Sequence, residues 1–452
     1  MTRSTAELDA FLTANNDLEL VYIILTDPVG VARGKGLRPH ELKNVYENGR
    51  AFPASVFSLT VLGEDVEEAG LLWDIGDLDC FAFPIAGTLK RSPWLEKTGQ
   101  VLLGFRPDSG PVAVADPRLR LESVADRMKG DGFHPVLAVE LEFYLLDKAA
   151  ARDGRIVPAL ASGGLYNDQI QVYSIQELGD YAPFLRDLYA ACDAQGLPAE
   201  SVISEYAPGQ MEITLTHRAD SLRAVDEAIQ YKHLVKGVAE NHGMIACFMA
   251  KTFAESAGSG MHLHVSLNDA KGHNQFASEE PAGNDLLRHA IGGMAATIDD
   301  AMALFAPNAN SYRRFRRKTY APVAPTWGVN NRTVSFRIPA GPAKSRHVEH
   351  RISGADANPY LAAAAVLAGM HHGIKNKIDP GAPVTGNGYD GTIDKLTINW
   401  FDALDAFEAS AFIRDYFGPE FVRVFSAIKR AECERFFAQV TELDYRWNLR
   451  TA

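Results

Sequence analysis

Residues 136–146 read VLAVELEFYLL, and the fold turns on how this stretch is taken. Read as a strand, its side chains point alternately to two faces. Leu137, Val139, Leu141, Phe143 and Leu145 then share one face, and Glu140 and Glu142 share the other. The same pattern recurs along the chain. In Gln210–Thr216 (QMEITLT), Met211, Ile213 and Leu215 oppose Glu212. In Met261–Leu267 (MHLHVSL), Met261, Leu263, Val265 and Leu267 oppose His262, His264 and Ser266. In Val334–Ile338 (VSFRI), Arg337 opposes Val334, Phe336 and Ile338, and in Val348–Ser353 (VEHRIS), Glu349 and Arg351 share a face.

A polar strand face that meets water usually carries Thr, Ser, Lys and Gln, as on the open side of an antiparallel sheet. These faces carry almost only Glu, His and Arg. Glutamate is a poor strand former, so its repetition needs a chemical reason. Divalent cations supply one. Mg²⁺ and Mn²⁺ prefer carboxylate oxygens and bridge phosphate oxygens. Glu140, Glu142, Glu205, Glu212 and Glu349 with one imidazole suffice for two ions. Two ions and several arginines are what phosphoryl transfer from ATP requires, because charge spreads over the transferred group.

The remaining sequence frames this site. At 452 residues the chain is long enough for two or three domains of roughly 100–200 residues. Apolar residues are 46% and charged residues 23%, an ordinary globular composition. A net charge of −12 argues against general nucleic-acid or anionic-membrane binding. Cys80, Cys192, Cys247 and Cys433 are widely spaced with no CxxC pair, which points to a reducing cytoplasm and no cysteine metal site. The first twenty residues show no apolar h-region. The longest apolar run, Tyr360–Met370, is too short to span a bilayer.

Helices are expected at Ala6–Asn15, Ser221–Glu240 and Asp285–Phe305, and after Asn358-Pro359, a cap followed by a first-turn proline. Leu20–Thr26 and Val101–Phe105 read as strands of a small α+β unit. The Pro/Gly/Asp-rich stretch Arg106–Pro117 is the expected linker.

Six motifs taken together resemble the glutamine synthetase superfamily: VELEFYLL (139–146), EYAPGQMEI (205–213), AGSGMHLHVSL (257–267), NSYRRF (310–315), NNRTVSFRIP (330–339) and VEHRISGADANPY (348–360). They stand in the family's order and cover essentially the whole chain. The resemblance implies an α+β protein. A β-grasp N-terminal domain would span residues 1–106, and a catalytic domain, an antiparallel sheet funnel flanked by helices, would span 107–452. It implies an ATP-dependent ligase with two Mg²⁺ or Mn²⁺ ions per site. Glu142, Glu205 and Glu212 would hold the ion nearer the substrates, and Glu140, His262 and Glu349 the ion nearer the ATP phosphates. Arg314, Arg351 and Gly258 would meet glutamate, Arg332 and Arg337 the phosphates, and His264, Ser266 and Lys344 the nucleotide. Catalysis would fall to Arg332, Arg314 and Glu205, the last as a candidate base.

The sequence departs from the family where ammonium is bound. Ammonia-using members place an aspartate in an N-terminal FDGSS-type motif and a glutamate in a flap just before an Ala-Pro pair. Here the first motif aligns with FPASV (52–56), with Pro53 at the acidic position, and the flap FRRKTYAP (315–322) carries Tyr320. Without either carboxylate an organic amine is the expected nucleophile, and residues 52–71 resemble the γ-glutamylpolyamine (γ-glutamylputrescine) synthetases. Putrescine or another aliphatic amine leads. Ordinary glutamine synthesis and a non-catalytic scaffold are the alternatives. Arg316, Arg317 and Lys318, if they face inward, favour a monoamine, whereas the acidic run Glu64, Asp65, Glu67 and Glu68 offers an attraction for the amine across a subunit boundary. The family resemblance further implies two stacked hexameric rings in the cytoplasm. Tyr389, in GNGYDG, falls near the tyrosine adenylylated in bacterial glutamine synthetases, but its surroundings differ and no such regulation is expected.

Overall fold

The computed structural model describes residues 5–390 and 396–452, which leaves Met1–Ser4 and Gly391 of the GNGYDG stretch outside the description. The first sheet contains β1 (Leu20–Thr26), β2 (Ala32–Leu37), β3 (Arg50–Pro53), β4 (Asp79–Pro84), β5 (Lys90–Arg91) and β6 (Thr98–Gly104). Their order is β2-β1-β6-β4-β3, with β5 also on β6. The β1–β6 pair is parallel and the other pairs are antiparallel.

The second sheet contains β7 (His134–Asp147), β8 (Ala199–Ser204), β9 (Gln210–Leu215), β10 (Met244–Cys247), β11 (Met261–Asn268), β12 (Trp327–Val329), β13 (Phe336–Ile338) and β14 (Val348–His350). Its order is β12-β13-β14-β11-β7-β9-β8, with β10 also pairing with β7. It is antiparallel except for β12–β13. The expected alternation is realised in its central strands. Leu137, Val139, Leu141, Phe143 and Leu145 are all essentially buried in one apolar cluster with Met211, Ile213, Leu263 and Val265.

Helices cover that apolar face. Ser221–Asn241 is capped by the Asp220 carboxylate, and Pro359–Asn376 by the Asn358 side chain, which accepts from Tyr360 N–H. The helix expected over Asp285–Phe305 is two helices, Asp285–Ala296 and Ile298–Phe305. They break at Thr297, whose hydroxyl bonds the Gly293 carbonyl at 2.9 Å, a local competitor of the helical ladder. Gly293 also lets the first of them cross Pro359–Asn376 closely, since a Cβ there would lie 2.1 Å from the Gly369 carbonyl oxygen.

The first sheet has its own apolar cluster around Val21, Ile23, Val101 and Leu103. It takes in Val112, Ala113, Ala115 and Leu119 as well as Val424 and Ile428 of the helix Pro419–Phe437. Of the stretch expected as a linker, residues 106–110 form a partly exposed turn, whereas Val112, Ala113 and Ala115, in and just after the short 3₁₀ turn Pro111–Val114, pack into this cluster. Strands β13 (Phe336–Ile338) and β14 (Val348–His350) are shorter than the expected Val334–Ile338 and Val348–Ser353, although one further bond in their register, Arg351 N–H to the Ser335 carbonyl at 3.0 Å, extends the pairing past the strand ends. Among the described residues, no helix is long and apolar enough to cross a membrane.

Candidate active site

The register of the second sheet assembles the polar residues. Glu142 lies opposite Glu212, and Glu140 opposite both Thr214 and His262. His264 lies opposite Glu349, which in turn lies opposite Arg337. Directly opposed residues stand about 4.5–5.5 Å apart at Cβ, so one row crosses β9, β7, β11, β14 and β13. Glu140 Oε1 is 2.7 Å from His262 Nδ1, and His264 Nε2 is 3.6 Å from Glu140 Oε2. Glu349 accepts from Arg337 at 2.8 Å and from Arg351. Glu142 accepts from the Gly260 N–H at 2.8 Å and from Gln210 Nε2 at 3.3 Å. Glu205 follows β8, its own N–H bonded to the Gln210 carbonyl at 2.9 Å.

These acids are not equivalent. Burial raises Glu212, and the carboxylates of Glu140, Glu142 and Glu205 add to it, pushing it up to about 11. Burial and the Glu142 charge push Glu205 up to about 7. Burial also disfavours ionised Glu140, but the hydrogen bond with His262 and the nearby His264 imidazole hold it well below the usual range. At Glu349 burial is overcome by Arg351 and then His264 and His262, which bring it to about 2. The set is thus half-neutralised from the Arg337–Arg351 side and self-repelling at the Glu205–Glu212 side.

Hard oxygen donors with imidazole fit a divalent cation such as Mg²⁺ or Mn²⁺. Two groups bring a ligand atom from each member within 4.8 Å of the others: Glu140, Glu212 and His262, and Glu140, His264 and Glu349. The grouping differs from the one expected. Glu140 is common to both, and His264 stands with Glu349 because the β11–β14 register pairs them. Glu142 lies on the same row, 3.9 Å from His262 Nε2.

Two cavities flank the row. One of about 570 Å³ is lined by Glu142, Glu205, Gly258, His262, Arg314 and Arg351, so the expected glutamate residues converge there. The other, of about 880 Å³, is lined by Glu140, His264, Ser266 and Lys344, which gathers the expected nucleotide residues. Arg314 is buried and donates to the carbonyls of Ile352 and Arg351. Arg337 is held between Glu349 and Asn330. Arg332 is exposed and lines a separate cleft with Asn330, Asn331 and Val384, although its charge acts on Glu205.

The sequence left other wall residues unread. Tyr206, Lys251, Asp168 and Glu255 line the first cavity. The loss of both family carboxylates therefore does not leave this cavity free of acids. Tyr206 follows Glu205 in the EYAPGQ motif, which was the available signal; Asp168 and Glu255 come from segments with no strand pattern. Tyr320 faces Tyr206, with ring centroids 5.5 Å apart and hydroxyls 3.4 Å apart. Of the flap cations, Arg316 and Lys318 line the cavity while Arg317 donates to the Tyr389 carbonyl. In the acidic run, Glu64 pairs with Arg435 and Glu67 accepts the Trp73 indole N–H at 3.0 Å.

The chain belongs to the glutamine synthetase family: residues 114–448 match the model of the glutamine synthetase catalytic domain. It is 40% identical over 450 residues to γ-glutamylputrescine synthetase PuuA of Escherichia coli (strain K12), covering 99% of this chain and 95% of that protein. It is 33% identical over 430 residues to the glutamate–isopropylamine ligase of Pseudomonas sp, covering 92% and 91%. Among solved structures, a GmaS/ADP complex superposes with a TM-score of 0.85 at 28% identity, over 99% of this chain and 100% of that one.

A pH-dependent response to metal is the first expected outcome. Glu205 and Glu212 have folded-state values of about 7 and about 11, above the ordinary 4.5. These two acids therefore hold more protons in the folded than in the unfolded protein above pH 4.5, and their contribution to stability falls as pH rises through 7. In EDTA these two acids are expected to lower the melting temperature more at pH 8 than at pH 5.5, read as the difference from a variant with glutamine at both positions. Added Mg²⁺ or Mn²⁺ is expected to recover more at pH 8, because ligands must be deprotonated to bind. An equal metal shift at both pH values would contradict the assignment.

Proposed function

We propose that the chain is an ATP-dependent glutamate–amine ligase. ATP phosphorylates the γ-carboxylate of glutamate. An aliphatic primary amine then attacks the γ-glutamyl phosphate, giving a γ-glutamyl amide, ADP and phosphate. The observation that carries this reading is the wall facing the acid row: Tyr206 and Tyr320 stand there as a pair, and Tyr320 occupies the flap position where an ammonia user needs a carboxylate. Aromatic faces favour an alkyl ammonium over a bare, strongly hydrated ammonium ion. The names of the relatives, which concern glutamate amides of putrescine and isopropylamine, support the same class.

In this reading Glu140, Glu142, Glu205, Glu212, His262 and Glu349 would hold two Mg²⁺ or Mn²⁺ ions. The bound cations neutralise the charge that spreads over the transferred phosphoryl group. Arg314, Arg351 and Gly258 bind and orient glutamate in the first cavity. His264, Ser266 and Lys344 seat the nucleotide in the second, and Arg337 and Arg332 serve the phosphates. Glu205 lines the first cavity and is the candidate to take the proton that the attacking amine loses. Residues 1–106 form a β-grasp domain built on the first sheet and 107–452 the catalytic domain built on the second, with the first sheet's apolar cluster also holding Val112, Leu119, Val424 and Ile428 of the catalytic domain. The enzyme assembles as two stacked hexameric rings in the cytoplasm. The exposed Val440, Leu443, Tyr445, Trp447 and Leu449 of the C-terminal arm support burial against another copy.

Arg316 and Lys318 on the cavity wall favour a monoamine over a diamine, whose second ammonium they repel. Steady-state rates with glutamate, ATP and either n-butylamine, putrescine or ammonia test both points. We expect kcat/KM for butylamine to exceed that for ammonia by at least about tenfold, the scale of a single well-packed methylene, and to exceed that for putrescine. Efficient use of ammonia alone would restore the glutamine synthetase reading; a putrescine preference would place Asp168 and Glu255, not the flap cations, in charge of selectivity.

A further inference from the structure

The flap carries two residues with side chains in the left-handed region, Lys318 at φ 63° and Tyr320 at φ 58°. Such backbone persists where its surroundings hold it. The holding group here is Tyr389, which is 5% exposed. Its hydroxyl donates to the Ala321 carbonyl at 2.9 Å, and the backbone N–H groups of Tyr320 and Thr319 lie against the same oxygen. Its own carbonyl accepts from Arg317 Nη1 at 2.6 Å. One buried residue therefore pins the flap on both sides of its strained turn.

The opposite rim is fastened differently. The loop 254–258 has its carbonyls held from the scaffold: Ser256 by Lys251 at 2.5 Å, Ala257 by the Tyr144 hydroxyl at 2.7 Å, and Gly258 by Gln210 at 3.1 Å. The Ala254 carbonyl is held by the flap itself, through Arg316 Nη1 at 3.1 Å. Three of the loop's carbonyls are thus tied to the scaffold independently of the flap, whereas the flap's own ties converge on Tyr389.

We propose that Tyr389 is a positioning residue that seats the flap over the γ-glutamyl phosphate so that the amine, not water, reacts with it; this rests on the ligase reading above. In the competing step the oxygen of water bonds to the γ-carbonyl carbon and the carbon–oxygen bond to phosphate breaks. Phosphate leaves with the electron pair, water's proton goes to solvent, and glutamate is regenerated. The sum is hydrolysis of one ATP to ADP and phosphate with no amide made. A burial this deep also closes Tyr389 to covalent modification, so its place near the family's modified tyrosine is taken by a mechanical task.

Tyr389→Phe deletes the hydroxyl and keeps the ring and the carbonyl. Phosphate release and amide formation are measured together at saturating glutamate, ATP and Mg²⁺ with the best amine of the panel. Wild type is expected to release one phosphate per amide. The variant is expected to raise that ratio and the amine KM by about three- to tenfold, the scale of one lost hydrogen bond, with the glutamate KM unchanged. Hydrogen exchange of residues 315–322 is expected to quicken in the same variant. Should Tyr389→Phe fail to fold, Arg317→Ala removes the other tie to Tyr389 and is read by the same ratio. An unchanged ratio in the folded variant overturns the proposal while leaving the ligase intact. A wild type that forms no amide with any amine overturns the reading beneath it.

Discussion

Replacing Glu212 by glutamine is expected to lower kcat by about 10³-fold, while the metal-free protein melts at a higher temperature than wild type. The two effects have one cause. Glu212 sits in β9 opposite Glu142 and within ligand reach of Glu140 and His262. Burial and three neighbouring carboxylates push it up to about 11. Without a cation the ionised acid is a liability, so a neutral amide of the same shape relieves the fold. With a cation the acid is a ligand, and its loss removes charge stabilisation where the phosphoryl group is transferred, a change of about 10²–10³-fold or more for single groups of this kind. Glutamine also keeps an acceptor oxygen, which separates the loss of charge from the loss of shape. Melting in EDTA and in Mn²⁺, with initial rates on the same preparations, decides the matter. A variant that keeps wild-type rates would remove Glu212 from the metal set. A variant that melts lower in EDTA would mean the carboxylates do not repel one another.

How far the sequence carried the site follows from what sets each position. Side chains in β7, β9 and β11 are fixed by period two, so Glu140, Glu142, Glu212, His262 and His264 could be placed on one face before any partner strand was known. Which of them meet depends on cross-strand register, and no local pattern fixes that. The meeting of His264 with Glu349 across β11 and β14 is one such pairing. Loops carry no period. Tyr206, Asp168, Glu255 and Lys251 reach the cavity through turns whose paths are set by tertiary bonds, such as Lys251 to the Ser256 carbonyl. Arg332 shows the same limit from the other side: its motif was legible, but the exposed position of its side chain was not. The helix break at Thr297 depended on a hydroxyl choosing the Gly293 carbonyl over solvent, a contest that propensity alone does not decide.

Arg351→Ala is expected to cost both glutamate binding and stability, whereas Arg351→Lys recovers more of the second than of the first. Arg351 is 5% exposed, lines the cavity proposed for glutamate and pairs with Glu349, itself 1% exposed. Its positive charge is the leading reason that Glu349 stays ionised against burial. Truncation leaves Glu349 with Arg337 as its remaining guanidinium partner. Breaking a buried ion pair from one side typically costs about 3–5 kcal/mol, so a lowered melting temperature is the first readout. The sign with pH follows. Glu349 is depressed below 4.5 in the folded protein, so its contribution is present above that value and is lost as pH falls toward about 2. In Arg351→Ala the folded value rises, and the deficit relative to wild type is therefore larger at pH 7 than at pH 3. The second readout is kinetic. A lysine restores the charge to Glu349 but not the planar fork that holds a carboxylate through two parallel hydrogen bonds. The glutamate KM is therefore expected to stay raised by about tenfold or more in Arg351→Lys, on the scale of a lost charged hydrogen bond, even where the melting temperature returns. A wild-type glutamate KM in Arg351→Ala would remove this guanidinium from the substrate site and leave it only the task of holding Glu349 charged.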